Sequence, residues 1–133
     1  MSWYYEDKEV TEIPEPYIGF VYCVTNLING KKYIGKKNFY STRRVRQRNK
    51  TKRKVVKSDS NWQQYFGSNA DIISDVETLG VHNFRRDILR FCKTKAEMSY
   101  FEIKEQIERE VLFKPENFYN NYIGCRIHRK HLK

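Results

Sequence analysis

The chain has 133 residues, the size of one domain, and at that size about two-thirds of the unfolded surface is buried on folding. Apolar residues make up 39% and charged residues 32%, with Gly 6 and Pro 3, which excludes a disordered or collagen-like chain; no apolar run approaches the ~20 residues of a membrane helix. Net charge is +10, and residues 36–57 hold 11 of the 26 Lys and Arg with no acid, leaving 15 bases against 16 acids elsewhere. Clustered Lys and Arg release counterions from a phosphate backbone, so the run reads as a polyanion site. It lacks large apolar residues at helical spacing, which argues against a membrane surface. Cys23, Cys92 and Cys125 are odd in number and far apart, which fits a reducing compartment. The start MSWYYEDKEV lacks the basic-then-apolar pattern of a signal peptide, so the expected location is cytoplasmic.

In chain order, residues 1–16 read as an irregular extension, with Pro14 and Pro16 against regular structure. GFVYCVTNL (19–27) is aromatic and β-branched and predicts a strand. Asn29-Gly30 predicts a two-residue hairpin turn, with KKYIG (31–35) as the returning strand. Residues 36–60 form a basic insert, and NWQQYFGSN (61–69) leads into a helix over 70–80. Ile72, Ile73 and Val76 share one face of that helix, and Gly80 stops it. FRRDILRFC (84–92) predicts a third strand. Thr94 and Glu97 have capping-box spacing at the start of a long helix bounded by Pro115. Ala96, Tyr100, Ile103, Ile107 and Val111 form its expected core stripe, with Met98, Phe101 and Leu112 roughly opposite. The C-terminal stretch 122–133 reads as a basic tail; Cys125, His128 and His131 have atypical zinc spacing and no obvious fourth ligand. The expected fold is α+β: a small, mainly antiparallel sheet of about three strands, hairpin first, flanked by helices.

In an antiparallel hairpin, opposite residues have a constant sum of numbers. An even loop makes that sum odd, which puts Tyr22 and Tyr33 on one face. Gly35 at the strand end leaves room for a ligand to approach the backbone. Two phenols, a glycine and an adjacent basic run suit a phosphodiester.

GFVY (19–22), with its tyrosine eleven residues before that of YIG (33–35), resembles the two-part signature of the GIY-YIG nuclease superfamily. That superfamily includes phage homing endonucleases, some restriction enzymes and the incision domain of bacterial nucleotide excision repair. The segment FVYCVTNLINGKKYIGKK looks especially like small phage-encoded members, and WQQYFGSN, NFRRDILRFCKTKAEM and FYNNYIG extend the resemblance over roughly residues 19–121. It implies a general-base or water-positioning role for Tyr22 and a phosphate-positioning role for Tyr33. It also implies an essential arginine at Arg43, with Arg44 one residue away, and a lysine after the glycine at Lys36. Parity favours Lys37 instead, so that choice stays open. By family spacing the metal-binding glutamate is Glu102, with Glu105 and Glu108 as fallbacks. A late asparagine matches Asn120, with Asn121 adjacent. Two departures stand out: GFVY replaces the three-letter form, and Gln47 stands where a His or Tyr is frequent.

Hydrolysing a phosphodiester needs an activated water, neutralised charge at phosphorus and a stabilised leaving oxygen. One carboxylate suffices for a hard cation that keeps its waters, and a guanidinium fork fits phosphate oxygens. A phenol with pKa near 10 serves as a base only if neighbouring cations lower that value. The expectation is therefore a phage-type DNA endonuclease with one Mg²⁺ or Mn²⁺ per site. Gly35, Lys37, Arg44, Arg46, Arg48, Lys52, Arg53, Lys54 and Asn120 would contact DNA. A homodimer or successive nicks would allow both strands to be cut. The alternatives are a catalytically inert nucleic-acid-binding module on the same fold and a basic adaptor protein.

Overall fold

In the computed structural model, which describes residues 2–124, the chain's centre is a five-stranded sheet. Its strands are β1 (Trp3–Tyr5), β2 (Lys8–Val10), β3 (Gly19–Asn26), β4 (Lys32–Asn38) and β7 (Phe84–Cys92). Between them come β5 (Tyr40–Val45) and β6 (Lys54–Asp59), which among the described residues pair with each other alone. Helix α1 (Ala70–Leu79) precedes β7, and α2 (Lys95–Glu108) follows it. The sheet order is β2-β1-β7-β3-β4, antiparallel throughout except that β1 runs parallel to β7. The α+β class stands. The sheet is mixed and five-stranded rather than three-stranded, because residues 3–10 form a hairpin on its far side.

That hairpin lacks the glycine that usually marks a two-residue turn. Glu6 and Asp7 both take positive φ (50° and 65°), the geometry a twisted two-residue turn demands. The Asn29-Gly30 turn is longer than its dipeptide suggests. Asn26 N–H donates to Lys31 O at 2.8 Å, so four residues (27–30) form the loop. Gly30 has φ of 76°, and the Asn26 side chain accepts from Ile28 N–H at 2.9 Å. Four is also even, so the face assignment survives a two-residue slip: Tyr22 lies opposite Gly35 and Val24 opposite Tyr33.

One sheet face carries Trp3, Phe20, Tyr22, Val24, Phe84 and Ile88, packed with Phe39, Trp62 and Ile72 in an aromatic core. Arg86 is buried there too, its guanidinium over the Trp3 and Phe66 rings and donating to the Gln63 and Tyr65 carbonyls at 2.9 Å. Helix α2 covers the other face, where Val21, Cys92 and Met98 form a small core and Cys23, Ile34 and Val111 another.

Both helices expose residues expected inside. Asn69 caps α1, accepting from Asp71 and Ile72 N–H. Ile72 is buried, but Ile73 is largely exposed. On α2 the Thr94 hydroxyl accepts from Glu97 N–H at 3.1 Å as expected. Its buried face, however, runs through Met98 and Gln106, while Tyr100 and Ile107 face solvent. The helix ends at Glu108, seven residues before Pro115, and Val111 is buried from the following turn. The basic insert is largely strand: β4 runs on to Asn38, and β5 and β6 form a ribbon around an irregular tip at 46–53. Cys125, His128, His131 and the rest of the basic tail from residue 125 lie outside the described residues. Among those described, no helix is long and apolar enough to cross a membrane.

Candidate active site

A cavity of about 240 Å³ opens at the edge of the sheet beside β4, lined by Tyr22, Tyr33, Lys36, Glu102, Gln106 and Asn120 among others. Tyr22 and Tyr33 come from one sheet face, with ring centroids 6.2 Å apart. Lys36 lies one position on from Gly35 and so projects to the other face, where α2 supplies Glu102. Gly35 lets side chains from both faces share one space. A Cβ built there would sit 2.5 Å from the Tyr22 hydroxyl and 2.7 Å from its Cζ. The room that glycine leaves therefore holds the Tyr22 phenol, not a ligand against bare backbone.

The bulge in the β3–β7 pairing aims Tyr22. Val21 pairs with Arg90 but Tyr22 with Ile88, so Leu89 is the extra residue, and such bulges redirect neighbouring side chains. Tyr22 is buried, and burial pushes its pKa well above that of an ordinary phenol, helped by the nearby Tyr65 and Tyr33 phenols. Burial also raises Tyr33, partly offset by a 3.0 Å hydrogen bond shared with the Ser68 hydroxyl. These directions are opposite to the lowering that a tyrosine base at neutral pH requires. Both phenols are neutral in the free protein.

Burial likewise raises the Glu102 carboxyl, and Lys36 pulls it partly back. Among the described residues Glu102 has no hydrogen-bond or ion-pair partner, whereas Glu105 is paired with Arg109 at 3.0 Å and Glu108 with Lys104 at 3.1 Å. A half-buried, unpaired carboxylate facing a polar cavity fits a hard cation that draws its remaining oxygens from water and phosphate. No group of three or more His, Cys, Asp or Glu stands close enough to form an all-protein metal cage among the described residues.

The two lysines separate. Lys36 lines the cavity, its ammonium donating to the Ser99 hydroxyl at 2.6 Å. Lys37 lies over the Tyr65 ring at 4.3 Å in a neighbouring cleft, although it shares the strand face of the tyrosines as parity requires. Asn120 does line the cavity, but both ends of its amide are engaged. Its Oδ1 accepts from Ile34 N–H at 3.0 Å and its Nδ2 donates to Ile34 O at 2.8 Å. Gln106 adds a third bond to Ile34 O at 3.1 Å. The backbone of residues 117–119 pairs with Lys32 just before this point, so Asn120 continues with a side chain the capping of the β4 edge. Arg43 and Arg44 stand on β5, exposed and outside the cavity lining. Arg46, Arg48, Lys52 and Arg53 surround the ribbon tip, with Lys54 opening β6.

Gln106, Ser68 and Ser99 are not among the candidates that the sequence offers. Ser68 sits within the FGSN stretch, the one signal that pointed near it; nothing in the helical periodicity marks Gln106 or Ser99 as facing a polar space.

Residues 3–123 match the family described as "Putative endonuclease segE, GIY-YIG domain". The "Putative endonuclease segE" of Enterobacteria phage T4 is 40% identical over 101 residues, covering 76% of this chain. The chain spans only 39% of that relative's length. No solved structure matches the chain significantly.

Proposed function

The chain belongs to the phage-type GIY-YIG nucleases, and from that premise we propose that it is a DNA endonuclease using one divalent cation, Mg²⁺ or Mn²⁺, per site. The observation that supports this reading is the meeting of Tyr22, Tyr33, Lys36 and Glu102 around one cavity. Eighty residues of sequence separate the first from the last, and packing alone gives no reason for an unpaired carboxylate, an ammonium and two phenols to converge.

Glu102 would hold the cation, which when bound supplies positive charge for phosphate oxygens and acidifies water. Lys36 sets a second positive charge beside the scissile phosphate, in place of the guanidinium the family pattern assigns to Arg43. Tyr33, tied to Ser68, offers a hydroxyl to a non-bridging oxygen. Burial favours the protonated Tyr22 phenol in the cation-free protein, a state suited to orienting the attacking water through its hydroxyl. Its lone pair accepts from the water while its O–H donates elsewhere in the cavity. Asn120 and Gln106 fix the strand that carries Gly35 and Tyr33.

The absence of an arginine from the described cavity lining favours one second reading, an inert DNA-binding module on the same fold. Supercoiled plasmid incubated with Mg²⁺, Mn²⁺ or EDTA separates the two. Nicked or linear products that EDTA abolishes and Glu102→Gln lacks support the enzyme. Binding without cleavage in either cation supports the module.

A further inference from the structure

The ribbon of β5 and β6 is rooted firmly and beyond that root packs on no other element among the described residues. At its base Phe39 is fully buried and its N–H donates to Ile18 O at 2.8 Å. Ser60 closes the other strand, its N–H donating to Phe39 O at 2.8 Å and its hydroxyl to Asn38 O at 2.6 Å. From Ser41 to Asp59 every residue is exposed except Gln47 and Val56, which are half-covered. An isolated two-stranded hairpin is marginal in water. This one also carries nine Lys and Arg against one acid between residues 40 and 59, so its own charge opposes it. A polyanion would remove that repulsion.

The pairing register shows which shape of polyanion fits. Thr42 pairs with Lys57 and Arg44 with Val55 on one face; Arg43 pairs with Val56 and Val45 with Lys54 on the other. Cations therefore lie on both faces as well as at the tip. A flat array of phosphates would engage one face only, whereas a duplex groove presents phosphates on both walls. The major groove, about 12 Å wide, admits a two-stranded ribbon and the minor groove, about 6 Å wide, does not. Val45 and Val55 are exposed among these cations, and thymine methyls in the major groove are apolar partners for such side chains.

A basic path joins this ribbon to the cavity. Lys36 lines both the cavity and a cleft that also contains Lys37 and Lys95. Lys37 and Lys95 in turn line a third cleft with Tyr40 and Lys57 at the ribbon's foot. Lys57 lies 3.8 Å from the centre of the Tyr40 ring.

We infer that the ribbon enters the major groove of duplex DNA while Lys37, Lys57 and Lys95 carry one phosphate strand from that groove to the cavity. The inference rests on the DNA reading of the cavity and adds the mode of engagement. Six residues of strand reach roughly 20 Å, enough to follow a groove for more than half of a helical turn of about 34 Å.

The test is equilibrium binding of the full chain to a labelled duplex of about three helical turns, in EDTA so that the DNA stays intact. A second duplex of the same sequence carries bulky 5-substituents on its pyrimidines, which fill the major groove, and netropsin blocks the minor groove of a third. The expected result is at least ~10-fold weaker binding to the 5-substituted duplex and little change with netropsin. The variant R46Q/R48Q/K52Q/R53Q/K54Q should bind more weakly and lose that discrimination, with an unchanged circular dichroism spectrum. Equal wild-type affinity for plain and 5-substituted duplexes, or competition by netropsin instead, overturns the inference. Groove discrimination by a chain that cleaves no DNA with any cation upholds the ribbon and overturns the nuclease. Cleavage without groove discrimination does the reverse.

Discussion

The Tyr22 hydroxyl lies across Gly35 with Tyr65 and Tyr33 around it, in a setting that holds its proton more tightly than water does. Removing that hydroxyl costs little packing, because the ring stays in the aromatic core. Tyr22→Phe should therefore keep the wild-type melting temperature while plasmid cleavage falls by the ~10²–10⁴ typical of losing a group that handles a proton. Unimpaired cleavage by Tyr22→Phe would mean that the hydroxyl does not touch the reacting water. At Glu102 the electrostatics run the other way from stability. Burial raises its pKa above that of the unfolded chain, so the folded state binds the proton more tightly. The stabilisation from this group is complete below the unfolded carboxyl value, near pH 4.3, and is lost as pH rises through the higher folded value. In EDTA at neutral pH, Glu102→Gln should then melt no lower than wild type, while cleavage in Mg²⁺ disappears. Glu105→Gln, which breaks the pair with Arg109, should melt slightly lower and still cleave. The opposite pattern on both readouts would place the cation on Glu105.

At the scale of elements, the site depends on how the edge of β4 is closed. Ile34 receives three side-chain hydrogen bonds, two from Asn120 and one from Gln106, at a point where backbone pairing with residues 117–119 has run out. Asn120→Ala leaves a buried N–H without its acceptor, which costs about 1–3 kcal/mol. Thermal denaturation should show that loss, and cleavage should fall with it because Tyr33 and Gly35 flank Ile34; a variant as stable and active as wild type would reduce Asn120 to a spectator. The strands around this edge were legible because β3, β4 and β7 are aromatic and β-branched runs between clear turn residues. Parity alone put Tyr22 and Tyr33 together, since a four-residue loop preserves it as well as a two-residue one. The first hairpin was not legible: Glu6 and Asp7 reach positive φ without glycine, and tertiary contacts hold the strands there, through pairing of β1 with β7 and burial of Trp3 in the core. The face of α2 was misread for a related reason. It turns Glu102 and Gln106 toward the polar cavity, so apolar periodicity followed the exposed Tyr100 and Ile107 instead. Spacing from a family pattern pointed to Glu102, which lines the cavity, where hydropathy gave no signal. The same pattern put Arg43 eight residues after Gly35, which here falls on the ribbon and not in the cavity lining.

The molecule as a whole divides its charge between a nearly neutral body and a ribbon that carries the excess. That division separates affinity from fold. The ribbon contributes no residue to the sheet cores beyond its Tyr40 root, so neutralising its tip should leave melting unchanged. Binding should respond strongly. If about six of its cations meet phosphates, log K falls with log salt at a slope near −5, and affinity drops roughly 10³-fold between 50 and 200 mM salt. Replacing Arg46, Arg48, Lys52, Arg53 and Lys54 by glutamine removes up to five of those contacts and should flatten the slope by as much as ~4.5. The residual slope, near zero to −1, would then report the cations left in place, Arg43, Arg44, Lys50 and Lys57 on the ribbon and the lysines of the body. Cleavage at low salt and high protein concentration should survive in that variant, because Lys36 and Glu102 are untouched and only the occupancy of the site has changed. A slope that stays at the wild-type value would show that DNA rides on the body alone. Loss of cleavage even at saturating protein would instead mean that the ribbon acts on the reaction itself, as an arginine brought to the scissile phosphate would.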